Sequence, residues 1–137
     1  SKLSYRAFTE GDRLFKEFKG ALSENYVLQS LIRIYGSNPY YWANDKYEVD
    51  FIVQSGNDII PIEVKSGKSV SSPSMIEYKK MYEGETPFVV RFSLKNLTLD
   101  GNVLNIPLFM IDQTEHLIAL AKAKKTIKYT SNEKASI

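Results

Sequence analysis

The sequence contains no cysteine, which excludes both disulfide cross-links and thiolate chemistry. The single histidine, His116, excludes a zinc site built from several imidazoles. A formal net charge of +2 is too small to indicate nucleic-acid binding by itself. No run of roughly 18 apolar residues is present, so we expect no membrane span, and the missing cysteines fit a cytoplasmic protein. Any chemistry must therefore use carboxylates, lysines, hydroxyls and the backbone.

The length of 137 residues is that of one domain with a single core. We expect one domain over residues 1–125 and a polar C-terminal tail over residues 126–137. Apolar residues recur at helical spacing from Asp12 to Tyr35, and "GSNP" ends that helix. Residues 1–10 read as irregular. A second helix is predicted from Pro73 to Tyr82, and a third begins at Asp112 or Thr114 and ends near Lys125.

Five strand candidates lie between these helices: 40–42, 48–54, 59–65, "TPFVVRFSL" and "NVLNIPLFMI". The strand–helix–strand order across residues 59–92 favours a parallel pair with a right-handed crossover. The first strands, joined by short turns, favour antiparallel pairing. We therefore predict an α/β fold with a mixed sheet of about five strands flanked by helices.

A predicted hairpin determines how two of these strands pair. Gly56 and Asn57 are a preferred central pair for a two-residue turn, so Ser55 should lie opposite Asp58. One face is then wholly apolar and carries Val49, Phe51, Val53, Ile60, Ile62 and Val64. The other face is mixed and carries Asp50, Ile52, Ile59, Pro61, Glu63 and Lys65. A slip of one residue would scatter both sets, so the pattern specifies this register.

The mixed face brings two carboxylates together. In this register Asp50 lies directly across from Glu63, with Cβ atoms about 5 Å apart, and like charges so placed are destabilising without a cation between them. Lys65 follows Glu63 on the same face. A divalent metal ion such as Mg²⁺, which prefers carboxylate and phosphate oxygens, would relieve the repulsion. The alternative is an ordinary salt bridge from Lys65 to one or both carboxylates.

Glu24 is a third candidate, because it lies on the apolar stripe of the long helix, where an unpaired charge is expensive. If that stripe packs on the mixed face, Glu24 points toward Asp50 and Glu63. The alternative is that its carboxylate reaches solvent at the edge of the helix.

Other patterns have ordinary explanations. "GKS" at 67–69 lacks the first glycine of a phosphate loop, since Ile62 stands there. Two sets of side chains could contact nucleic acid, but core packing and a solvated helix face are the better explanations. These are the aromatic residues Tyr5, Tyr40, Tyr41 and Trp42, and the lysines Lys122, Lys124, Lys125 and Lys128.

A glutamate on the first helix, an aspartate in one strand and Glu-x-Lys in the next together resemble the PD-(D/E)XK nuclease superfamily. The matching residues are Glu24, Asp50, Glu63 and Lys65. The stretches "FKGALSENYVLQSL", "YYWANDKYEVDFIVQSGNDIIPIEVKSG", "VVRFSLKN" and "NIPLFMI" are also similar to a more specific family. That family is an uncharacterised domain that lies C-terminal to the AAA-type ATPase core in many bacterial and archaeal proteins.

The resemblance implies a restriction-endonuclease-like fold and an upstream ATPase domain as partner. It further implies Mg²⁺ or Mn²⁺ held by Asp50, Glu63 and the Val64 carbonyl, with Glu24 holding a metal-bound water or a second ion. Lys65 would orient the attacking water. Two departures stand out: Val49 replaces the proline before Asp50, and the RecB-like Gln-x-x-x-Tyr motif is absent, with serine at position 74.

Two functions follow from the resemblance. The first is a metal-dependent nuclease module acting on DNA or RNA. The second is a non-cutting accessory domain of the ATPase that binds nucleic acid or protein. A nuclease needs a basic cleft, and Lys65, Lys68, Lys79 and Lys80 are the lysines that the sequence offers for it. Since it has no phosphate loop, the chain should not hydrolyse ATP.

Overall fold

A computed structural model describes residues 5–67, 73–81 and 84–135, with side chains from residue 19 to 125 within those ranges, apart from 74 and 79. The helices are α1 (Tyr5–Tyr35), α2 (Pro73–Met81) and α3 (Thr114–Ala135), with a 3₁₀ helix at Leu108–Gln113. The strands are β1 (Tyr40–Ala43), β2 (Glu48–Ser55), β3 (Asp58–Lys65), β4 (Val89–Ser93), β5 (Thr98–Asp100) and β6 (Val103–Pro107). These elements confirm the predicted α/β class.

All six strands form one mixed sheet in the order β1-β2-β3-β4-β6-β5. The pairs β3–β4 and β4–β6 are parallel, and the other neighbours are antiparallel. The parallel β3–β4 pair, with α2 between them in the chain, is the crossover that the strand–helix–strand order predicts. Over the described residues, none of the helices combines the length and hydrophobicity of a membrane span.

The hairpin of β2 and β3 has the predicted register from Phe51–Ile62 to Ser55–Asp58, but the predicted direct pair of Asp50 with Glu63 is not part of the ladder. Ser55 pairs with Asp58 and Ile52 pairs with Pro61, so the proline's missing N–H falls at a non-hydrogen-bonded position of this ladder. Gly56 has a φ of +62°, and no described residue other than glycine has a positive φ. A glycine with positive φ at the first central position of a two-residue turn is the pattern of a type II′ hairpin.

A β-bulge in β2 changes which face its first residues occupy. Tyr40 of β1 pairs with Ile52, but Trp42 pairs with Val49, so Asp50 and Phe51 together lie opposite one residue of β1. Val49 and Ile52 consequently pack in the same cluster. The prediction that Val49 lies on the wholly apolar face is therefore wrong, because strict alternation does not hold across a bulge.

Two hydrophobic clusters cover the two faces of the sheet. On the first face, the buried residues of α1, the sheet and α3 are Val27, Leu31, Val53, Ile60, Ile62, Val64, Phe88, Val90, Phe92, Leu104, Ile106, Ile111, Leu117, Ile118 and Ala121. On the second face, α2 contributes Met75 and Tyr78, which pack against Val49, Ile52 and Val89. Thus α1 and α3 lie on one side of the sheet and α2 on the other.

The ends of several elements differ from the sequence-based expectation. Residues 5–10 are helical although residues 1–10 read as irregular, and residues 1–4 lie outside the described ranges. α1 ends at Tyr35, and the N–H of the following Gly36 donates to the Ile32 carbonyl at 2.8 Å. The final predicted strand stops at Pro107 and continues as the 3₁₀ helix. β5 is an additional strand, which raises the total to six. α3 extends to Ala135, so the segment predicted as a polar tail is helical through that residue.

Two lysines of α3 attach it to the sheet. The ammonium of Lys122 donates to the Ser55 carbonyl at 2.8 Å and lies 2.9 Å from an Asp58 carboxylate oxygen. The ammonium of Lys125 donates to the Pro87 carbonyl at 2.6 Å. These side chains stabilise the docking of α3, whereas the side chain of Lys128 lies outside the described residues.

We expect Gly56→Ala to lower the free energy of unfolding by about 1–2 kcal/mol, because an alanine at positive φ meets a steric penalty. Gly84→Ala is the matched control. Both positions have open space where a Cβ would lie, but Gly84 does not have a positive φ. Urea denaturation of the three proteins measures the effect. Equal stability of the two variants would contradict the turn assignment.

Candidate functional site

Glu63 lies near the end of β3 and is 9% exposed, which is low for a carboxylate. Its Oε1 is 3.0 Å from the Lys65 ammonium, and its Oε2 is 3.7 Å from Nε of Arg91. Lys65 reaches it along the same strand face, and Arg91 is its partner in the parallel ladder with β4. Two cations therefore compensate the buried charge of Glu63, as a paired buried carboxylate requires.

Asp50 lies at the bulge, next to the last β2–β3 pair, Phe51–Ile62. Its Oδ2 accepts a hydrogen bond from the Val64 amide at 3.0 Å. In a strand, the N–H and C=O of one residue leave on the same side. The Val64 carbonyl is therefore directed to the side on which Asp50 lies.

The pKa of Asp50 is raised from its ordinary value of 3.8 to about 6. Burial is the main cause, and the carboxylates of Glu24, Glu63 and Glu48 add repulsion, while the Val64 hydrogen bond acts in the opposite direction. Asp50 makes no ion pair with any of the described side chains. Asp50 and Glu63 are therefore close enough to repel each other, and of the two only Glu63 is neutralised by bases.

Glu24 approaches this site from α1, but not as the sequence suggests. The apolar stripe of α1 packs on the first face of the sheet, through Val27 and Leu31, and not on the face that carries Glu63. Gly20 lies near Ser66, so this part of α1 passes the end of β3. The Glu24 side chain is exposed there, yet it still raises the pKa of Asp50.

The donor chemistry at Asp50 and Glu63 fits a hard divalent cation in part. Within the part of the chain that the structure describes, no three acidic or imidazole side chains are gathered closely enough to hold a metal ion. Mg²⁺, however, is commonly held by one or two carboxylates, with waters and substrate phosphates as the remaining ligands. The uncompensated charge at Asp50 favours such an ion, whereas the ion pairs of Glu63 compete with it.

Arg91 is a residue of this site that the sequence analysis missed. Its side chain is only 14% exposed, and it lies between the buried residues Val90 and Phe92 of β4. An arginine inside an apolar strand signals a buried partner. The partner could be identified only once β4 was known to pair with β3 in parallel, which places Arg91 beside Glu63.

The lysines and aromatic residues that the sequence offered for contact with nucleic acid do not lie together. Lys80 is exposed on α2, while Lys68 and the side chain of Lys79 lie outside the described residues. Trp42 packs edge-to-face on Tyr78, with ring centroids 5.3 Å apart, which supports a core role. Tyr40 and Tyr41 are exposed, and the side chain of Tyr5 is not among those described.

Comparison with known proteins gives one family. The family described as Domain of unknown function (DUF4143) matches residues 19–109, which is roughly two thirds of the chain. The match includes β1 to β6 and the half of α1 that carries Glu24. The chain matches no curated protein and no solved structure.

We expect Asp50→Asn to stabilise the protein at pH 7.5 without metal, by about 1–2 kcal/mol once partial solvent screening is allowed for. Because folding raises the pKa of Asp50, its contribution to stability is greatest below pH 3.8 and is lost as the pH rises through about 6. The difference between variant and wild type should therefore be only about a third of its full size at pH 4.5 and should reach its full size near pH 7.5.

Urea denaturation across this pH range measures the difference. The variant can still accept the Val64 hydrogen bond, because a side-chain amide oxygen replaces the carboxylate oxygen at position 50. Asp45→Asn, at an exposed turn position, is the control and should change stability by less than about 0.5 kcal/mol. A constant difference between Asp50→Asn and wild type at all pH values would contradict the assignment.

Proposed function

We propose, from the premise that the chain belongs to the DUF4143 family, that it is the C-terminal nuclease-like domain of an AAA-type ATPase. The family is an uncharacterised domain often found with such ATPases. The proposed reaction is the hydrolysis of a phosphodiester in DNA or RNA with Mg²⁺ or Mn²⁺. The order of elements and the Glu24, Asp50, Glu63 and Lys65 pattern support an assignment to the PD-(D/E)XK superfamily.

One observation carries this proposal: Asp50 is a partly buried carboxylate that makes no ion pair with the described side chains, and it lies beside the buried Glu63–Lys65 pair. Asp50 has a raised pKa in a site with three further acidic neighbours. Perturbed pKa values of this kind cluster at functional sites, and a bound cation would relieve the repulsion between these carboxylates. Lys65 is the nearby ammonium that a phosphate-cleaving site requires.

The proposed roles follow from these positions. Asp50, Glu63 and the Val64 carbonyl would hold the divalent ion, and Glu24 would hold an ion-bound water or a second ion. A bound Mg²⁺ or Mn²⁺ supplies Lewis-acid stabilisation of the phosphate and lowers the pKa of bound water. Lys65 would orient the attacking water and neutralise negative charge that develops on the phosphate. Asp50 must be ionised to bind the divalent ion, so we expect activity to rise as the pH rises through about 6.

A second function, a non-cutting accessory domain of the ATPase, is favoured by the ion pairs of Glu63. Both of its carboxylate oxygens face cations, from Lys65 and Arg91. An ion would have to replace one of these contacts. A domain that keeps the fold for binding alone would retain the same ion pairs as structural elements.

We expect Mn²⁺ to raise the midpoint of thermal unfolding of the wild-type protein at pH 7.5 relative to the protein in EDTA. Ligand binding to the folded state produces such a shift through mass action. Asp50→Asn and Glu63→Gln should lose most of the shift because each removes a ligand charge, and Asp45→Asn should keep it. At pH 5 the wild-type shift should be smaller, since protons then compete for Asp50. Equal shifts in all four proteins would contradict a site at Asp50 and Glu63.

Nicking of supercoiled plasmid in Mn²⁺ then separates the two functions. We expect the wild-type protein to nick the plasmid and Lys65→Ala to lose about 100-fold or more of the rate, as for the loss of a positioned catalytic group. Lys80→Ala removes an exposed lysine of α2 and should behave like wild type. Metal binding without nicking would support the accessory function, and nicking that persists in Lys65→Ala would exclude this site as its source.

A further inference from the structure

A row of polar residues crosses the sheet from Glu63 to its far edge. In the parallel ladders Glu63 pairs with Arg91 and Arg91 pairs with Asn105, and in the antiparallel ladder Asn105 pairs with Thr98. These four residues lie on neighbouring strands, about 4.8 Å apart each, so the row is roughly 14 Å long. It lies on the second face of the sheet, the face on which α2 packs over β2 and β3.

A cavity of about 600 Å³ lies over the part of this row that belongs to β4, β6 and β5. That volume is within the usual range of small-molecule binding sites. Its polar lining consists of Arg91, Lys95, Asn96, Thr98, Asp100 and Asn105. Arg91 is therefore shared between the cavity and the Glu63 site, and it forms the boundary between them.

The loop of residues 94–97, which forms one wall of the cavity, is held in place by hydrogen bonds to a buried side chain of β6. Asn105 is 5% exposed, and its amide nitrogen donates to the carbonyls of Lys95 and Asn96 at 3.2 and 2.9 Å. Its amide oxygen accepts from the Ser93 hydroxyl at 2.7 Å, and that hydroxyl accepts from the Lys95 amide at 3.1 Å. Such a satisfied, buried network fixes the loop before any ligand arrives, which lowers the entropy cost of binding.

The charged side chains of the lining favour an anion between Arg91 and Lys95. Arg91 and Lys95 contribute two positive charges to the lining, and Asp100 contributes one negative charge. A guanidinium offers a fork of donors that matches phosphate oxygens, and it is the Nε of Arg91 that faces Glu63. Asn96 and Thr98 add uncharged groups that can hydrogen-bond to a base or sugar.

We propose that this cavity binds one nucleotide of a nucleic-acid strand, with its phosphate between Arg91 and Lys95. The strand would follow the polar row, so that a neighbouring phosphodiester reaches Asp50 and Glu63. The path of the strand toward Asp50 and Glu63 rests on the proposed function. The binding itself needs neither the metal ion nor cleavage, so it can be tested with both eliminated.

The test is fluorescence anisotropy of a labelled single-stranded oligonucleotide of about twelve nucleotides, titrated with protein in EDTA at low salt. We expect Lys95→Glu to raise the Kd about tenfold or more, since it reverses a charge in the lining. Lys124→Glu makes the same change at an exposed position of α3, across the sheet, and should raise the Kd less than about threefold. Equal weakening by both variants, or none, would overturn the proposal.

A second variant addresses the arginine. Arg91→Lys keeps the charge but loses the fork of donors, so we expect weaker binding with the helical and strand content preserved in circular dichroism. Glu63→Gln should strengthen binding, because it removes the charged competitor for Arg91. If the protein binds the oligonucleotide but neither nicks plasmid nor is stabilised by Mn²⁺, the result would support this proposal and contradict the proposed reaction.

Competition distinguishes the source of the phosphate. Unlabelled oligonucleotide should displace the labelled strand at concentrations where inorganic phosphate and a nucleoside monophosphate do not. Displacement by the monophosphate at the same concentration as the strand would overturn the assignment to nucleic acid, because the cavity would then recognise a free nucleotide.

Discussion

The hydrogen bond from the Val64 amide to the Asp50 carboxylate is the interaction on which the candidate site depends. A bulge in β2 interrupts the regular alternation, and Asp50 supplies the acceptor for an amide just beyond the last β2–β3 pair. The bond favours the ionised form of Asp50, whereas burial and three neighbouring carboxylates oppose it more strongly. The fold thus holds a carboxylate where its charge is not compensated. A structure selected for stability alone would replace it with a neutral side chain.

The two faces of the sheet explain why this arrangement persists. α1 and α3 bury the first face with a continuous apolar cluster, which supplies most of the stability of the fold. The second face has a smaller cluster under α2, and its remainder carries polar residues of β3, β4, β6 and β5. Because the stabilising burial lies on one face, the other can hold charges that lower stability.

The sequence was sufficient to predict the hairpin of β2 and β3 and that Asp50 comes near Glu63, although the two do not form a direct pair in the ladder. A Gly-Asn turn and clean alternation specify that register, and Pro61 agrees with it. The bulge was not predictable, because it depends on how β1 pairs with β2. The face chosen by α1 was not predictable either, since Glu24 lies on the same helix as Val27 and Leu31 and only tertiary packing shows which side the helix covers. Arg91 was missed for a related reason: its partner becomes visible only in the parallel ladder between strands that are distant in sequence.

Arg91 links the two parts of the second face, because its guanidinium faces Glu63 and its side chain also lines the cavity. If an anion drew Arg91 toward the cavity, Glu63 would lose its contact with Arg91 and become a better ligand for a metal ion. Conversely, a metal ion at Glu63 would release Arg91 for the phosphate. The two sites would then favour each other's occupation, and this coupling is reciprocal by thermodynamic necessity. In that case the ion pairs that compete with a metal ion at Glu63 would couple the binding of nucleic acid to that of the metal.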